Sequence, residues 1–184
     1  MTAAGGGGMA LEVDDGRLGE YRLVARLPRP PAGRVHRAVR DRDGSRHVVT
    51  VLRGDLAQAA EDEVVEVLAG ARRLLELDSP RLVPVHDVVL DAGRAALVSP
   101  DVAGDDLRTH LLEHGPLEPG LACRLGGQVA MGLAAAHAAG VLHGALTAQS
   151  VLLEPRGDRV RARLAGVGTA ALVRPAGPAA LVRP

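Results

Sequence analysis

The sequence predicts an α+β protein. Residues 21–53 and 83–100 alternate apolar and polar side chains with the period of two that half-buried strands require, whereas residues 56–77 and 119–139 repeat apolar residues at three- and four-residue spacing. Turn signals separate the strands, and Gly and Pro bound the helices. The expected architecture is a five-stranded antiparallel unit with one helix, followed by a mainly helical unit. A chain of 184 residues supports one domain of ordinary size, burying roughly 70% of its unfolded surface.

Residues 1–18, rich in Gly and Ala, read as a disordered tail. Three strands follow, "YRLVARL" (21–27), "RVHRAV" (34–39) and "RHVVTVLR" (46–53), with "DRDG" (41–44) as the hairpin turn between the last two. A helix over 56–77 presents Val64, Val67, Leu68, Ala71, Leu74 and Leu75 on one face. Two more strands, "VPVHDVVL" (83–90) and "RAALVSP" (94–100), flank the turn "DAG". A short helix over 105–115 stops at Gly115-Pro116, and Pro119 opens a long helix that Gly140 can terminate. The strands "VLLE" (151–154) and "RVRARLA" (159–165) close the ordered part, and "AALVRP" occurs twice in the Ala/Pro-rich tail 170–184.

Composition removes several function classes. The formal net charge is zero and aromatics make up 1%, so a basic, aromatic-studded nucleic-acid surface is not expected. Lys, Asn, Ile, Phe and Trp are absent and all 22 basic residues are Arg; the core must be built from Leu, Val and Ala, with few large anchors. Cys123 is the single cysteine, which rules out an internal disulfide. The N-terminus lacks a basic region followed by an apolar stretch, and the apolar run 129–142 is too short to span a bilayer. A cytoplasmic protein without membrane contact is expected.

The order of elements, with "LVPVHDVV", "AALVSPDVAGDDL", "QVAMGLAAAHAAGVLH" and "SVLLE", resembles bacterial serine/threonine protein kinases of the eukaryotic-like type. The likeness covers about residues 19–170. "HGALTAQSVLL" is also similar to the catalytic loop of aminoglycoside phosphotransferases, which share the architecture. The resemblance implies a protein-kinase-like fold, with a small lobe and hinge over 19–102 and a truncated large lobe over 103–169. Its expected cleft-lining residues are Gly33, Val35, Val48, Leu97 and Leu152, with Val48 standing where related kinases usually carry Ala.

Phosphoryl transfer depends on an electrostatic frame for phosphates, metal and nucleophile. By the resemblance, the Gly-rich loop falls on "PRPPAGRV" (28–35), whose prolines lack the N–H groups that would approach phosphate. The phosphate-pairing lysine falls on Thr50 and its glutamate partner on Gly70. In the catalytic loop Ala145 stands for the base, Thr147 for a lysine and Ser150 for the metal-binding asparagine; Gly166 stands for the next metal-binding aspartate. His143 is expected to orient that loop by packing.

An inactive, kinase-like binding or regulatory module follows as the expectation, with no ATP or magnesium and no other metal site. A nucleotide-binding relic is the first alternative. A zinc hydrolase built on "HLLEH" (110–114) is the second, although Gly115-Pro116 ends that helix and no third ligand suggests itself. A gene fragment without a selected role is the third. The expected partner, a protein or a second copy, docks on the long helix 118–139, where Leu125, Met131 or Leu133 would be left open by the missing remainder of the large lobe.

Overall fold

The computed structural model of the chain describes residues 16–27, 34–53, 56 and 61–173. The first half is an antiparallel sheet of six strands in the order β1-β2-β3-β4-β6-β5. Its strands are β1 (Arg17–Leu18), β2 (Tyr21–Leu27), β3 (Arg34–Arg40), β4 (Arg46–Arg53), β5 (Asp87–Asp91) and β6 (Arg94–Pro100). The sixth strand is β1, two residues placed in the expected tail. Leu18 pairs with Tyr21 across a tight turn and is fully buried. Residues 83–86 were expected to be strand but lie outside it.

Helix α1 (Glu61–Leu75) crosses one face of this sheet. Val67, Ala71 and Leu74 are its buried residues, at the four- and three-residue spacing that puts them on one stripe. The opposite sheet face carries a separate core of Leu18, Tyr21, Leu23, Ala38, Val49, Ala96 and Val98. Tyr21, the only aromatic of the Phe/Tyr/Trp class, anchors it. Its hydroxyl accepts from Arg40 Nη2 at 2.9 Å and donates to Asp87 Oδ2 at 3.1 Å, so burial leaves no polar atom stranded. The His47 ring meets it edge-on at 5.3 Å.

After β6 the chain forms β7 (Asp105–Asp106), α2 (Leu107–His114), α3 (Pro119–Ala138), β8 (Val151–Arg156), β9 (Arg159–Leu164) and α4 (Thr169–Val173). Asp106 caps α2 by accepting the Thr109 N–H at 3.0 Å. Pro119 occupies the first turn of α3, where a missing N–H costs nothing. Gly140, at φ +70°, ends it, and the Val141 N–H returns to the Ala136 carbonyl at 2.9 Å.

Leu125 is 3% exposed, and Leu133 packs partly buried against the same core. The expected open stripe is therefore corrected: these residues join Leu82, Leu164, Val141 and Val167 in the core shared by both halves. An Ala- and Gly-rich helix can bury the rarer large side chains and turn its small ones outward. Met131, at 60% exposed, is the large side chain of α3 that stays in solvent. Among the described residues, no helix is long and apolar enough to cross a membrane.

Candidate functional site

A cleft separates the β-rich half from the helical half. Val35 on β3 and Val48 on β4 form its roof, and Leu152 on β8 its floor. Ser99 to Val102 wall off one end. Gly33 and most of "PRPPAGRV" lie outside the described residues. Leu97 is 1% exposed and lines a second, apolar recess behind Thr50 and Ser99, together with Leu74 and Leu82.

The other end of the cleft brings together Thr50, His143, Ala145, Ser150 and Gly166. His143 is 5% exposed, and the Ala145 N–H donates to its Nδ1 at 3.4 Å. Nε2 makes no hydrogen bond of normal geometry. Burial pushes the imidazole below its ordinary value of 6.5, opposed by backbone groups of His143 and Ala165. The ring is thus buried in the loop, with the Ala145 N–H as its hydrogen-bond partner.

Ser150 holds the same loop from the other side. Its hydroxyl accepts the Thr147 N–H and donates to the Ala145 carbonyl, both at 3.3 Å, in a capping box around the short 3₁₀ turn Ala148–Ser150. Thr147 is exposed. Among the described cleft residues, Asp101 is the one carboxylate, and it faces Arg37 at 3.5 Å. A hard cation needs several oxygen ligands, preferably charged; this set does not fit magnesium.

Gly70 lies on α1, and a Cβ there would collide with the Leu172 side chain of α4. Helix α4 packs against both α1 and β4. The loop leading into it is equally tight. Gly168, at φ +72°, would place a Cβ 2.7 Å from Leu74 and 2.9 Å from Val141. Two glycines thus admit α4 to the position facing Thr50's strand. Sequence reasoning assigned residues 170–173 to a tail and missed this contact, since five residues carry too little periodicity to announce a helix.

His110 and His114 on α2 stack 4.6 Å apart, and His114 Nδ1 lies 3.2 Å from the His110 carbonyl. Among the described residues, no group of three or more His, Cys, Asp or Glu could hold a metal ion.

Comparison with known proteins settles the ancestry of this cleft. Residues 22–174 match the family model described as protein tyrosine and serine/threonine kinase. The chain belongs to the protein kinase family. It is 38% identical over 135 residues to the serine/threonine-protein kinase PkaA of Streptomyces coelicolor, covering 73% of this chain and 25% of the relative. Its identity to PkaB of the same organism is 44% over 110 residues, 59% of this chain and 26% of the relative. The chain spans about a quarter of these relatives' length. The crystal structure of the Mycobacterium tuberculosis PknI kinase domain superimposes with a TM-score of 0.69 at 24% identity, over 89% of this chain and 64% of that one. The likeness fixes the fold: a kinase small lobe, hinge and the first part of a large lobe.

Proposed function

We propose that this kinase-family chain is a catalytically inactive, cytoplasmic module that works by binding protein rather than by transferring phosphate. The observation that carries this is that the cleft's inner end, lined by Thr50, His143, Ala145, Ser150 and Gly166, holds no carboxylate among the described residues. By its resemblance to kinases, α1 would present a glutamate where Gly70 stands, and Leu172 occupies the space that such a side chain needs. Ala145 and Gly166 offer no carboxylate in the cleft. The Ser150 hydroxyl is engaged within its own loop. The relatives are named as serine/threonine kinases, which supports the family; the inactive reading rests on this chain's own residues.

Purified protein incubated with labelled ATP and magnesium is expected to transfer no phosphate to itself or to casein. Magnesium-dependent autophosphorylation that disappears in Leu152→Arg would overturn the proposal.

A second reading is favoured by the apolar roof and floor, Val35, Val48 and Leu152: the cleft keeps weak affinity for a nucleotide without metal. Ligand at about a hundred times its dissociation constant stabilises a fold by about 2.7 kcal/mol. Thermal melts with ATP, with and without magnesium, separate the readings. A saturable metal-independent shift supports the relic, and a flat response supports the binding module alone.

A further inference from the structure

β8 and β9 pair with Leu152 opposite Arg163, Glu154 opposite Arg161 and Arg156 opposite Arg159. Alternate residues share a sheet face. One face, with Val151, Leu153, Ala162 and Leu164, is buried. The other begins at Leu152 on the cleft floor and continues outward as four arginines around one glutamate. Glu154 Oε2 accepts from Arg161 Nε at 3.0 Å and Nη2 at 2.6 Å, while Oε1 meets Arg156 Nη2 at 2.8 Å. Arg163 donates through Nε and Nη2 to the Leu82 carbonyl, at 3.2 and 2.6 Å.

The charges on this face do not balance. One carboxylate stands against four guanidiniums. Of the neighbouring acids, Asp106 is engaged in capping α2 and Asp158 sits in the exposed hairpin turn. Arg159 is exposed and has no ion-pair partner within 4 Å among the described residues. Arg156 is 58% exposed. Burial pushes the Arg163 guanidinium below its ordinary value, Glu154 opposes it, and Arg161 and Arg156 add smaller pushes in the direction of burial. β9 is the edge of its three-stranded sheet; at Leu164 that edge is bonded to Arg81 and Val83, and the exposed Arg159 end is the part reachable from the side.

We propose that the outward face of the β8–β9 hairpin docks a carboxylate-rich segment of a partner protein. Arg159 and Arg161 stand one strand repeat apart, about 7 Å, while Arg163 stays committed to the Leu82 carbonyl. An extended peptide bearing acids at every second residue repeats with the same spacing, and guanidinium forks bind carboxylates in two-pronged fashion. A second carboxylate would do for Arg159 what Glu154 does for Arg156 and Arg161. The inference rests on the binding-module reading. Its assay reads peptide binding and not phosphate transfer, so failure here leaves the inactive cleft standing.

The probe is a fluorescein-labelled peptide of alternating Glu and Ser, titrated with the full chain and followed by anisotropy. Saturable binding that weakens with salt is expected, with an alternating Lys-Ser peptide inert. Arg156→Glu combined with Arg159→Glu should weaken binding about tenfold, and Arg72→Glu on α1 should leave it unchanged. Because the double reversal disturbs Glu154, Arg159→Ala alone provides a variant that keeps the internal network; it should weaken binding about twofold to threefold. No saturable binding, indifference to both the double variant and Arg159→Ala, or equal affinity for an oligothymidylate would overturn the proposal.

Discussion

The two ends of the interlobe cleft have been treated differently. At the hinge end the apolar surfaces of Val35, Val48 and Leu152 face each other across open space. At the inner end, α4 is packed onto α1 and β4, with Leu172 in the notch at Gly70 and Gly168 against Leu74. The first end is shaped by side chains and the second by their absence. Gly70 and Gly168 let the following helix settle against α1 and β4. A substitution that restores bulk at the inner end should therefore cost far more than one that alters the outer end.

The largest expected effect is at Gly168. Alanine there combines a left-handed backbone with a Cβ inside contact distance of Leu74 and Val141, and we expect Gly168→Ala to lose about 3 kcal/mol of stability. Urea unfolding followed by circular dichroism measures it; an unchanged midpoint would show that α4 is not held as described.

An intermediate effect concerns His143 and its pH dependence. The folded imidazole sits below 6.5, the unfolded value, because burial disfavours its charge. Above about pH 6.5 both states are neutral and folding is indifferent to pH. As pH falls from there toward the depressed folded value, the unfolded chain binds a proton that the folded chain refuses, and stability declines. His47, lowered by burial and by Arg40, adds in the same direction. Melting temperatures at pH 7.5 and 5.5 should differ, and His143→Gln should narrow the gap.

The smallest effect belongs to the hinge end. Val48 is half-buried over the cleft, so Val48→Ala should cost only about 1 kcal/mol. A loss as large as that at Gly168, measured by the same urea titration, would erase the contrast between the two ends.

Sequence and structure part company where contacts are distant or elements are short. β2, β4 and β6 coincide with the predicted runs, because alternation and flanking turns are local signals. Pro119 and Gly140 mark α3 for the same reason. β1 has two residues and α4 five, too few for a period. The notch at Gly70 is not visible in the sequence, since its filler lies about a hundred residues away. The burial of Leu125 and Leu133 on α3 was not legible, because β9, which packs on that helix, lies far along the chain. The resemblance to kinases brings His143, Ala145, Ser150 and Gly166 to one corner, yet the loop hydrogen bonds of Ser150 depend on backbone geometry that residue types do not encode.

The two halves are also stitched along the back of the cleft. The Val83 N–H donates to the Leu164 carbonyl at 2.7 Å, the Leu164 N–H to the Arg81 carbonyl at 2.8 Å, and Arg163 grips Leu82. Helix α4, packed on α1 and β4, and the covalent crossing through Pro100 and Asp101 add further attachments. Leu52, Val67 and Leu74 of the first half share one core with Leu125, Leu164 and Val167 of the second. Neither half can unfold without stripping the other of part of its interior, so the two should melt in a single transition.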